Sequence, residues 1–80
     1  QTQKQIKALQ NKLSNLEKKI TALEKTLKEI DLQLELNYGE TIAQPDFFDT
    51  YQEKKQMLSK HMEAWESLAD RLDSLQNALN

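Results

Sequence analysis

Eighty residues with one glycine, one proline, no cysteine and a net charge of −2 suffice for one small domain and exclude a large enclosed core. Without cysteine there are no disulfides to add stability, a composition that fits a cytoplasmic setting, and no apolar run approaches the length that crosses a membrane. Abundant Leu, Lys, Glu and Gln is the composition of long helices and coiled coils.

From Ile6 the apolar residues run Leu9, Leu13, Leu16, Ile20, Leu23, Leu27, Ile30 and Leu34. They step three and four alternately, which is a heptad seam facing a partner helix in a left-handed supercoil. The pattern predicts helix one over about 4–36. Asn37, Tyr38 and Gly39 interrupt it, and Gly39 is expected to supply a left-handed residue at the helix end. A polar hinge over 37–44 follows.

Pro45 is suited to a first helical turn, and Asp46 and Asp49 favour the positive helix end, so helix two is expected over about 45–79. Its stripe reads Phe48, Tyr51, Leu58, Met62, Trp65, Leu68, Leu72, Leu75 and Leu79, with an interruption at Lys55 and an irregularity at Leu68 and Ala69. Two helices of similar length joined by a short hinge fold back on each other. The expected fold is therefore all-α, an antiparallel two-helix coiled-coil hairpin occupying 1–80 as a single domain. Each helix should run about 45–50 Å at ~1.5 Å per residue, giving a rod without a deep cleft.

A lone glycine cannot build the phosphate-cradling loop that nucleotide binding needs. His61 is the only histidine, and a single base on a thin rod does not make a hydrolytic site. A structural or catalytic metal needs three or four ligands, so His61 reads as an ordinary surface or seam-flanking residue. No catalytic residue, cofactor or metal is expected in this domain.

Charge is distributed in blocks, which says more than the total. Residues 1–28 hold seven lysines against Glu17 and Glu24, a net +5; residues 29–53 hold seven acids and no base, a net −7; residues 54–80 balance four against four. With Ile6 at heptad position a, Lys4, Lys18 and Lys25 fall at f and Lys7 and Lys28 at b, one outward ridge, while Lys12 and Lys19 fall at g. Such a ridge is either a solvated face or a contact surface for phosphates. Bases at the start of helix one run against the helix dipole, which argues for function unless the helix continues upstream. The aromatics Tyr38, Phe47, Phe48 and Tyr51 around the hinge either grip a partner or plug the hairpin end.

These features resemble the C-terminal coiled-coil domain of ABC-F type ATPases, soluble bacterial proteins with paired nucleotide-binding domains and no membrane span. The resemblance lies in Leu16-Glu17-Lys18-Lys19-Ile20 and Leu23-Glu24 of the first helix, in the hinge Pro45-Asp46-Phe47-Phe48 with Tyr51, and in Trp65-Glu66-Ser67-Leu68. It covers roughly Leu9 to Leu72. It implies a domain excised from the C-terminus of a longer ATPase, as a start at Gln1 rather than Met also suggests, with Gln1 to Lys7 ending a basic linker. Nucleic-acid binding and ribosome association are what the family implies.

The expectation is a non-catalytic domain that binds DNA or structured RNA through Lys4, Lys7, Lys18, Lys25 and Lys28. The alternative is a protein-binding or spacer arm that uses the hinge aromatics. A monomer is favoured, with self-association through an open seam as the competing state, and no membrane partner is expected.

Overall fold

The computed structural model describes residues 2–79, the side chain of Leu79 excepted. Three helices follow one another: α1 over Thr2–Leu36, α2 over Tyr38–Ile42 and α3 over Phe47–Leu79. The long helices α1 and α3 pack antiparallel as the expected hairpin, in a rod of 56 × 18 × 15 Å. At ~1.5 Å per residue the 35 residues of α1 account for nearly the whole length.

On α1 every residue of the heptad seam from Ile6 to Leu34 is buried or half-buried. Leu9 and Leu13 are the most enclosed, at 7% and 8% exposure. Two helices share only one seam, so each seam residue has water on one side and no side chain among those described is fully enclosed. The helix begins earlier than expected: Thr2–Lys7 is helical and Ile6 already sits in the seam. Gln1 lies outside the described residues.

The seam of α3 differs from the stripe that hydropathy selects. Nine half-buried positions, Phe47, Tyr51, Lys54, Leu58, His61, Trp65, Leu68, Leu72 and Leu75, alternate four and three without a break, and Ala69 is half-buried beside Leu68. Phe48 and Met62 lie one step off this line, about 100° around the helix, and are exposed. Lys54 and His61 take the places that an apolar reading assigns to their neighbours. A lysine tolerates such a position because its methylene stem packs while the ammonium reaches water.

The turn is also built differently from the expected open hinge. Asn37, at φ −138° and ψ 57°, breaks the helix, and the chain immediately starts the short α2. Gly39 is helical with no positive φ; the left-handed residue is Asp46, at φ 58°. Aspartate tolerates this conformation better than most side chains. Pro45 accordingly lies in the turn ahead of α3 and not in its first helical turn, which opens with the bond from Thr50 N–H to the Asp46 carbonyl at 3.0 Å.

Candidate nucleic-acid interface and the hairpin tip

The packing of the helices sets the register of every side chain on the rod. Trp65 donates its indole N–H to Glu17 Oε1 at 3.1 Å, and Tyr51 donates its hydroxyl to Asp31 Oδ1 at 2.9 Å. In both pairs the residue numbers add up to 82, so the two bonds belong to a single antiparallel register. By that register Lys28 and Lys54 lie at the same level. Residues 3–28 are thereby paired along their length with 54–79, and 29–53 form the turn end.

This alignment turns charge blocks in sequence into a polar rod. The open end carries +5 from the part of α1 up to Lys28 and a balanced part of α3 from Lys54 on; the turn end carries all of the −7. Lys4, Lys7, Lys18, Lys25 and Lys28 are all exposed on the side of α1 away from α3. They span 24 residue steps, or ~36 Å of helix, close to the length of one turn of duplex DNA at roughly 34–36 Å. Between Lys18 and Lys25 runs a shallow groove formed with Ser14, Glu17, Thr21 and Ala22. The outward face of α3 carries Glu63, Glu66, Asp70 and Asp73, all exposed, so only one side of the rod presents a run of bases.

The four hinge aromatics divide into two pairs with different surroundings. Phe47 and Tyr51 are half-buried and stack with centroids 5.8 Å apart and planes 12° from parallel. Lys55 Nζ lies 4.4 Å from the centre of the Tyr51 ring, a cation over an aromatic face. These two rings plug the end of the seam. Thr41 completes the plug: it is buried at 6% exposure, and its hydroxyl donates to the Gln33 carbonyl at 3.2 Å. That carbonyl also accepts the Asn37 N–H at 2.7 Å, so the last turn of α1 is capped from within the chain. Tyr38 and Phe48 remain outside, exposed to solvent.

His61, half-buried in the seam, has no second histidine or cysteine in the chain. Among the described residues no three His, Asp or Glu side chains converge as a metal site. No helix among them is long and apolar enough to cross a membrane. Shallow grooves run along the rod, one of them lined by Glu17, Ile20, Glu24, Met62, Trp65 and Glu66.

Lys54 and His61 are the seam positions that an apolar stripe passes over in favour of Phe48 and Met62. The signal that locates them is the unbroken four-three spacing backward from Leu75, which selects 61, 54 and 47 regardless of side-chain type. Comparison of the chain with protein families, curated proteins and solved structures finds no match.

Proposed function

We propose that this domain is a non-catalytic nucleic-acid-binding element, contacting the phosphates of DNA or structured RNA through Lys4, Lys7, Lys18, Lys25 and Lys28. The observation that carries the reading is the separation of charge along the rod: five exposed lysines on one outward face, with the acidic segment held at the other end. Lysine ammonium groups act on phosphate as point charges, so the contact is one of position and salt-dependent affinity with little base readout. Its expected setting is the cytoplasm, as the C-terminal tail of an ABC-F type ATPase, where structured ribosomal RNA is one candidate ligand.

The test is a titration against labelled duplex DNA and a structured RNA at two salt concentrations. Five phosphate contacts predict a log–log salt slope of about −4 to −5 on duplex DNA. A Lys18→Glu, Lys25→Glu, Lys28→Glu variant should lose nearly all of that binding, whereas Lys60→Glu on the exposed side of α3 should retain most of it. Failure of the parent chain to bind either nucleic acid at low salt removes the reading and leaves the lysines as a solvated face.

A second reading, a protein-binding or spacer arm, is favoured by one separate observation. Tyr38 and Phe48 lie outside the seam that buries their neighbours Phe47 and Tyr51.

A further inference from the structure

Phosphate contacts along α1 leave the turn end of the hairpin without a role. That end exposes four large apolar side chains: Leu32 at 50%, Leu36 at 67%, Tyr38 at 60% and Phe48 at 63%, the last three nearest the turn itself. The fold does not need them, because Phe47, Tyr51 and Thr41 already close the seam. The Phe48 ring rests edge-on to Phe47, with centroids 5.2 Å apart and planes at 80°. Exposed aromatics, with only two side-chain torsions to order, offer large contact area and are the usual composition of an interface anchor.

The charge around these anchors selects the kind of partner. Glu35, Glu40, Asp46 and Asp49 are all exposed, and no basic residue occurs from Glu29 to Glu53. A field of that sign repels phosphates, so neither nucleic acid nor an anionic lipid surface fits the tip. It attracts Lys and Arg. Apolar anchors within an acidic rim are complementary to a chain that presents apolar residues between basic ones.

We propose that the hairpin tip is a docking surface for a basic, amphipathic protein segment, with Tyr38 and Phe48 as its apolar anchors and the surrounding acids as its rim. The rod then carries two contacts of opposite sign at opposite ends, one for phosphate and one for a basic polypeptide. The tip contact stands whether or not the lysine ridge binds nucleic acid, because no ridge residue takes part in it.

The probe is a labelled synthetic helical peptide of about five turns, roughly 18 residues, with leucine on one face and lysine elsewhere. It should bind the chain, and a peptide with glutamate in place of lysine should not. A peptide with glutamine in place of leucine should bind at least about tenfold more weakly, as should the Tyr38→Ser, Phe48→Ser variant with the original peptide. Met57→Gln, which removes an exposed apolar side chain outside the acidic segment, should bind like the parent. In the parent chain, peptide-induced amide shift changes should concentrate within 35–49, a readout that does not depend on how any variant folds. Equal binding of the leucine and glutamine peptides, or equal binding by the double variant, reduces the contact to charge and overturns the proposal. So does an absence of binding. Concentration-dependent sedimentation of the parent chain that Phe48→Ser abolishes would instead assign the tip to a second copy.

Discussion

Trp65 and Glu17, separated by 48 residues in the chain, are joined by an indole N–H bond of 3.1 Å across the two helices. Tyr51 and Asp31 make the equivalent contact two heptads nearer the turn, at 2.9 Å. Both acids fall at heptad position e of α1, and both aromatics are seam residues of α3. Glu24 and Leu58 occupy the intermediate level of the same register, where leucine has no proton to donate. Polar contacts of this kind add only modestly to stability at an exposed site but penalise any slippage of the helices.

Trp65 combines a seam ring with that directional bond, and its two substitutions separate the contributions. Trp65→Phe keeps an aromatic ring and should cost about 1 kcal/mol, the worth of one hydrogen bond. Trp65→Ala should cost about 3 kcal/mol, the low end for a buried aromatic because the ring is only half-buried. In a domain of this size that lowers the midpoint of thermal unfolding by more than about 10 °C. A Trp65→Ala chain that melts with the parent would remove Trp65 from the seam.

Lys54 and His61 place polar groups where a coiled coil packs best with leucine. Lys54→Leu and His61→Leu should each raise stability by roughly 1 kcal/mol, since one further apolar side chain is then buried. The same changes should favour self-association, because polar seam residues disfavour alternative packings. Urea melts and sedimentation at several concentrations read the two effects separately; a loss of stability in both variants would place these side chains outside the seam.

Gly39 and Asp46 have exchanged the conformations that their residue types suggest. Gly39 is helical, and a Cβ added there meets nothing within 4 Å, so Gly39→Ala should stabilise the chain by about 0.5–1 kcal/mol. Asp46 sits at φ 58°, so Asp46→Val should destabilise by roughly 1–2 kcal/mol while Asp46→Gly is tolerated. Thermal melts of the three variants check both signs at once.

Thr41 closes the turn through one hydroxyl. Thr41→Val keeps the shape of the side chain but removes the bond to the Gln33 carbonyl, and it should cost about 0.5–1.5 kcal/mol. Hydrogen exchange is the sharper measurement: amides at 37–43 should lose protection while those near Leu9 and Leu13 are unchanged.

Much of this fold is legible in the sequence, because a coiled coil repeats its one structural rule many times. The α1 seam from Ile6 to Leu34 and the antiparallel return of α3 follow from heptad spacing and from the short connection between the helices. The exposed lysine ridge follows from the same wheel, and its five positions on α1 needed no tertiary information. Tertiary structure decided what a local reading weighs wrongly. Along α3 hydropathy favours Phe48 and Met62, but a seam must advance by alternating four and three residues to stay against its partner, and that geometry takes Phe47, Lys54 and His61 instead. At the turn the most permissive residue, Gly39, looked like the site of left-handed backbone; the packing of α2 and the cap from Thr41 to Gln33 put the reversal at Asp46. The separation of charge between the two ends also belongs to the tertiary structure, since the blocks become the poles of a rod only when α3 folds back to set Lys54 level with Lys28.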